Sequence, residues 1–191
     1  MIATPLSDFL TISADIVRDA ASHVAQETMD KAVDLCVEAL QSDKPILVCG
    51  NGGSASDAMH IAGELVARFL KERKGQNCIC LSSNTAMITA WANDYDYASV
   101  FARQVEAYGR EGAVIIGLST SGNSKNVMQA FEKARAMGMK TIGLTGKGGG
   151  KMAPLCDVML DAPSTNTPLI QQVHICLYHY LCEHIEKRIA T

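Results

Sequence analysis

Three stretches of this chain hold residues whose types and spacing suit chemistry. In Cys49–Leu65, CGNGGSASDAMHIAGEL, a glycine-rich turn leads into His60 and Glu64, which sit at i and i+4 and so share one helix face. A His–carboxylate pair serves as metal ligands or as general acid and base. A solvated, hydrogen-bonded pair is the plain alternative. The turn itself, Gly50-Asn51-Gly52-Gly53-Ser54, can bring backbone N–H groups close to a ligand. Its spacing matches neither G-x-G-x-x-G nor G-K-[ST], so neither a dinucleotide site nor a nucleotide P-loop is indicated. Taken alone, a tight β–α turn that binds nothing explains it equally well.

The second stretch, Ser119-Thr120-Ser121-Gly122-Asn123-Ser124, places four hydroxyls and a glycine where a strand ends and a helix begins. Hydroxyls, backbone N–H groups and the positive end of a helix dipole all favour an anion. Simple capping needs one Ser or Asn, and this turn holds more donors than that. Without a lysine, it suits the phosphate monoester of a sugar better than a polyphosphate. A weaker signal is ANDYDY, Ala92–Tyr97, with Asn93 and Asp94 at a helix end. The third stretch, near the C-terminus, carries Gln171, Gln172, His174, His179 and His184. On a helix Gln171 and His179 lie about 80° apart, and Gln171 and His174 about 60°, so angle alone leaves both histidines open.

These groups need a scaffold, and the apolar pattern supplies one. Residues from about Ser7 to Leu40 are helical, as one or two helices with an uncertain break near Ser22–Ala25. Thr4-Pro5 marks the start and Ser42-Asp43-Lys44-Pro45 the stop. Short apolar strands are then predicted at Ile46–Gly50, Cys78–Ser83, Ala113–Ser119, Thr141–Gly146 and Asp157–Ala162. Helices separate them, over Ala55–Leu70, Thr85–Ala92, Val100–Gly109 and Asn126–Gly138, and a long one follows from Pro168. Non-alternating strands between helices imply a parallel sheet covered on both faces, an α/β three-layer doubly wound sandwich with extra N-terminal helices. In such folds ligands sit beyond the carboxyl ends of the strands, where these turns fall.

Composition narrows the class. With 48% hydrophobic and 19% charged residues, the 191-residue chain suits one compact domain, 1–191. A net charge of −3 without a basic run gives no nucleic-acid footprint. No apolar run is long enough for a transmembrane helix, and the N-terminus has no signal-peptide pattern. Seven cysteines, an odd number lying mostly in apolar stretches, read as reduced core thiols in a cytoplasmic protein rather than as disulfides or a structural zinc site.

CGNGGSASDAMHIAGEL, ANDY, STSGNS, LTGKGGGKMA and PLIQQVHICLYHYL occur in that order over nearly the whole chain. Together they resemble the phosphoheptose isomerases, enzymes of the sugar-isomerase (SIS) fold with a five-stranded parallel sheet. The resemblance implies conversion of D-sedoheptulose 7-phosphate to D-glycero-D-manno-heptose 7-phosphate through an enediol. That is the first step toward activated heptoses for lipopolysaccharide, capsule or surface-layer glycans. It implies a cytoplasmic homotetramer with sites at subunit interfaces, one zinc per site, and residues about 5–41 as an oligomerisation element. It implies that Ser119, Thr120, Ser121 and Ser124 hold the phosphate. Asn51, Gly52, Gly53, Ser54 and Gln171 line the sugar site with Glu64, and Asn93 and Asp94 meet hydroxyls. It assigns zinc to His60, Glu64, Gln171 and His179, and acid–base work to Glu64 and His179. The chain departs from the family pattern at Ser83-Asn84, Gly148, Asn166 and Leu169, which bears on substrate preference rather than reaction class. Non-catalytic SIS relatives, which bind a replication-initiation protein or sense a phosphosugar, are the alternative. Retention of both Glu64 and His179 speaks against them.

Overall fold

The structure, a computed structural model, describes residues 4–190. Two helices, α1 (Leu6–His23) and α2 (Gln26–Gln41), precede β1 (Ile46–Gly50), α3 (Gly53–Val66) and β2 (Cys78–Cys80). Then come α4 (Thr85–Asp94), α5 (Val100–Tyr108), β3 (Val114–Ser119), α6 (Lys125–Ala136) and β4 (Lys140–Thr145). A 3-10 turn (Gly150–Leu155), β5 (Val158–Asp161) and α7 (Thr167–Ile189) complete the described chain. The helical break falls at Val24 and Ala25, both in extended conformation.

All five strands are parallel, in the order β2-β1-β3-β4-β5. β1 and β3 are buried throughout. Alternate strand residues feed two cores, because successive side chains point to opposite faces. Ile46 and Val48 pack with residues of α2, α3 and α7, whereas Leu47 and Cys49 pack with residues of α5 and α6. A Cβ at Gly117 of β3 would run into Val127 and Phe131, so glycine there lets α6 lie close on the sheet.

The order reverses between β1 and β3, the switch point at which doubly wound sheets open a crevice. Gly50 pairs with Leu118 across that boundary, so the turns leaving β1 and β3 emerge side by side.

Three sequence expectations shift. α3 stops at Val66 instead of running to Leu70, because the backbone N–H groups of Phe69, Leu70 and Lys71 turn aside to the Glu186 carboxylate. β2 is three residues long; past one more backbone bond, Leu81 N–H to Val48 O, the Ser82 hydroxyl bonds both the N–H and the C=O of Gly50. All seven cysteines are free, but Cys176 faces solvent on α7 and is no core thiol. Among the described residues no helix is long and apolar enough to cross a membrane.

Candidate active site

The anion-type turn forms at the switch point. Ser119 Oγ stands 2.8 Å from Ser124 Oγ and 3.5 Å from Ser121 Oγ, and Thr120 Oγ1 lies 3.5 Å from Thr167 Oγ1. Ser124 is the N-cap residue of α6, yet its side chain caps no helix N–H and turns back to Ser119. Capping therefore does not account for the hydroxyls. The loop of the LTGKGGGKMA motif, to which sequence reasoning assigned no role of its own, buttresses this turn. Gly148, Gly149 and Gly150 all have positive φ, and a Cβ on Gly150 would strike the carbonyls of Ser121 and Gly122. Met152 N–H bonds Gly122 O at 2.9 Å, and Lys151 N–H bonds Asn123 Oδ1 at 3.1 Å.

The neighbouring turn after β1 is locked by side chains. Asn51 Oδ1 accepts from Asn126 Nδ2 and from the Tyr97 hydroxyl, both at 2.8 Å, and Asn51 Nδ2 donates to Asn126 Oδ1 at 2.9 Å. Asn51 thus ties β1, α6 and the loop before α5 together. Gly52 has φ 56°, which favours glycine. Gly53 lies against the Gln171 amide, which a Cβ there would push aside. Ser54 is buried on the first turn of α3. Asn51, Tyr97, Ser124 and Asn126 help line an open hollow of about 370 Å³. Asn93 and Asp94 bond each other at 2.9 Å at the exposed end of α4, two residues ahead of the strap that carries Tyr97. Asn84 caps α4 by accepting from Met87 N–H.

A second cluster lies elsewhere. His60, Glu64 and His179 each bring a ligand atom within 4.8 Å of the others. His60 Nε2 is 2.9 Å from Glu64 Oε1, and His60 Nδ1 is 2.9 Å from the Tyr178 hydroxyl. The His60 and His179 rings meet edge-on at 5.0 Å. Phe69 packs on His179 from the loop after α3. That loop is clamped: Glu186, almost fully buried, accepts the N–H groups of Phe69, Leu70 and Lys71 at 2.7–2.9 Å. Arg73 Nε stands 3.1 Å from Glu186 in an ion pair, off the line of a hydrogen bond. Arg73 also donates to the carbonyls of Glu64 and Leu65 at 2.7 and 2.8 Å, satisfying acceptors that the end of α3 leaves open. Burial alone raises the Glu186 carboxyl, but the three N–H groups and Arg73 outweigh it and hold it below its ordinary value.

His174 is the histidine that the cluster excludes. It is fully buried, its Nε2 bonds Thr145 O at 3.0 Å, and its Nδ1 has no partner. Burial lowers its pKa to about 4, against a small opposing effect of the Thr145 bond. It is a neutral core histidine. Gln171 is also apart: its amide reaches Gly53, and it precedes His179 by eight residues, about 12 Å of helix rise. Along α3, Gly53 and Glu64 are separated by about 16 Å of rise. Within one chain the hydroxyl turn and the His60–Glu64–His179 cluster therefore stand at opposite ends of α3. Sequence reasoning missed Asp57, Tyr178, Arg73 and Glu186 around the cluster; only Asp57, three residues before His60 on one helix, carried a spacing signal.

The His–His–carboxylate donor set fits zinc, which in catalytic sites takes three protein ligands and leaves a fourth position open. The doubly wound sheet with a hydroxyl-rich turn at its switch point is that of a SIS-domain protein, whose family model matches residues 9–146. Phosphoheptose isomerase from Helicobacter pylori (strain P12) is 55% identical over 165 residues, 86% of each chain. The solved phosphoheptose isomerase of Francisella tularensis superposes with TM-score 0.90 at 33% identity, covering 95% of this chain and 96% of that one. The Neisseria gonorrhoeae phosphoheptose isomerase gives TM-score 0.88 at 38% identity, covering 95% and 97%. This chain belongs to the phosphoheptose isomerase family of SIS-domain proteins.

Proposed function

We infer that this protein is an aldose–ketose isomerase acting on D-sedoheptulose 7-phosphate and giving D-glycero-D-manno-heptose 7-phosphate. The observation that carries the mechanism is the convergence of Glu64, His60 and His179 from α3 and α7 on one point. Glu64 takes a proton from C1 of the ketose and returns it to C2, through an enediol. His179 delivers a proton to O2 and removes the one on O1, so the carbonyl moves without net loss of protons. His60, Glu64 and His179 would hold zinc, which supplies Lewis-acid polarisation of the carbonyl when bound. Ser119, Thr120, Ser121 and Ser124 hold the phosphate, and Gly52, Gly53, Ser54 and Gln171 border the sugar. Fixing the phosphate keeps the reacting end in place, which can supply much of the rate.

The separation of the two clusters along α3 supports a site shared between subunits, one giving the hydroxyl turn and another the acid–base cluster. α1 supports the same reading: Leu6, Phe9, Leu10 and Ile12 lie exposed on it, an apolar surface that a second subunit would cover. In this proposal residues about 5–41 form the oligomerisation element of a single-domain, cytoplasmic homotetramer that feeds surface-glycan synthesis. The test is a coupled assay with sedoheptulose 7-phosphate and a downstream heptose kinase, with added zinc or chelator. Glu64→Gln is expected to lower kcat by about 10³-fold with the fold intact. Near-parent turnover in that variant would remove Glu64 as the base.

A further inference from the structure

The Tyr178 hydroxyl connects two side chains of α3. It lies 2.9 Å from His60 Nδ1 and 3.4 Å from Asp57 Oδ1, and its one hydrogen can go to either. Across the imidazole, His60 Nε2 faces Glu64 Oε1 at 2.9 Å. Asp57, Tyr178, His60 and Glu64 thus form one line. Tyr178 is almost fully buried, and Asp57 Oδ2 is buried with no partner.

The line constrains where protons can sit. A neutral imidazole has one N–H, and the other nitrogen is an acceptor. Opposite the Glu64 carboxylate the hydrogen belongs on Nε2, and Nδ1 accepts from Tyr178. A cation bound through Nε2 needs that nitrogen bare. The ring then loses a proton at Nε2 and gains one at Nδ1, with no net change in charge. Its Nδ1–H donates to the Tyr178 oxygen, and the tyrosine O–H must swing to another acceptor. Asp57 is that acceptor, already within reach. Metal-bound histidines commonly need such a partner behind the ring to fix tautomer and orientation.

We propose that Tyr178 and Asp57 are a positioning pair that stabilises the Nδ1–H tautomer of His60 and so prepares Nε2 for a divalent cation. The proposal rests on reading His60, Glu64 and His179 as a metal site. Its test uses Tyr178→Phe, which keeps the ring packed edge-on against His60 and His179 and removes only the hydroxyl. Zinc affinity, read by competition with a chromophoric chelator, is expected to fall about 10–100-fold. Asp57→Ala should fall in the same range and carries the test if the tyrosine variant does not fold. The double variant should bind no more weakly than Tyr178→Phe alone, because the two act as one unit. Imidazole ¹⁵N spectra of the zinc-loaded parent should show His60 protonated at Nδ1. Parent-like zinc affinity in Tyr178→Phe, within about twofold, would overturn the positioning role, since a purely structural tyrosine would lower only the unfolding midpoint. A parent that takes up no zinc would overturn the metal reading itself, a separable result.

Discussion

The two ends of α3 are built on opposite principles. At its N-terminus the turns after β1 and β3 are made of consecutive short residues, and their geometry comes from backbone and glycine. Gly52, Gly122 and the Gly148–Gly150 run adopt positive φ, and the hydroxyls of Ser119, Ser121 and Ser124 come from residues at most five apart. Toward its C-terminus the cluster is made of side chains from distant segments, held by packing and charge: His60 and Glu64 from α3, His179 from α7, and the Arg73–Glu186 clamp beneath them. In the proposed function the first kind of site takes an anion with little rearrangement. The second brings together groups that move protons, and its geometry depends on how two helices lie against each other. The proposed function puts binding at one end and chemistry at the other.

If one end serves one subunit and the opposite end another, damage to each should be repairable in mixture. Ser121→Asp places a carboxylate where the phosphate would sit, and Glu64→Gln removes the base. Each variant alone is expected to be nearly inactive. Refolded together in equal amounts, they should recover about a quarter of parent activity, since random assembly pairs an intact turn with an intact cluster that often. A mixture as inactive as its components would mean that both ends act within one chain, and the comparison drawn above would fail.

How legible each end was follows from its construction. The buried strands β1 and β3 read directly as apolar runs, and the turns that follow them are contiguous in sequence, so the switch point was visible before the fold was. His60 and Glu64 were visible through their i, i+4 spacing. Their partner was not, because α7 is buried on several sides. Val173, His174, Tyr178 and Leu181 all face the interior, so helical angle could not separate a site histidine from a core one. Only the resemblance pointed to His179. Tyr178 and Glu186 gave no signal, since an aromatic in an apolar helix and a glutamate near a chain end look ordinary. The apolar VARFL segment promised more helix than forms, because nothing local announces that Glu186 captures three of its N–H groups.

That capture gives the next prediction. Glu186→Ala would leave the buried Arg73 guanidinium without its counter-ion and three loop N–H groups without their acceptor. Breaking one partner of a buried pair costs about 3–5 kcal/mol. The urea midpoint should fall accordingly, while Glu186→Gln, which keeps an acceptor, should lose less. A loss under about 1 kcal/mol would show that the loop after α3 rests on other contacts and that the cluster end is not clamped.

His174 sharpens the comparison by separating a structural histidine from the site histidines of the same two-helix layer. Its folded pKa of about 4 lies below the ordinary value near 6.5. Between those values the unfolded chain takes up a proton that the folded chain refuses, so stability is full above about pH 6.5 and falls as pH drops toward 4. The loss accumulates to about 3 kcal/mol across that window. His174→Gln removes the titration and keeps a side-chain N–H for the Thr145 carbonyl. Urea unfolding followed from pH 7 to 4.5 should therefore give a shallower decline in the variant than in the parent. Parallel curves would mean that His174 is protonated in the fold, and the division between a neutral core histidine and an active cluster would have to be redrawn.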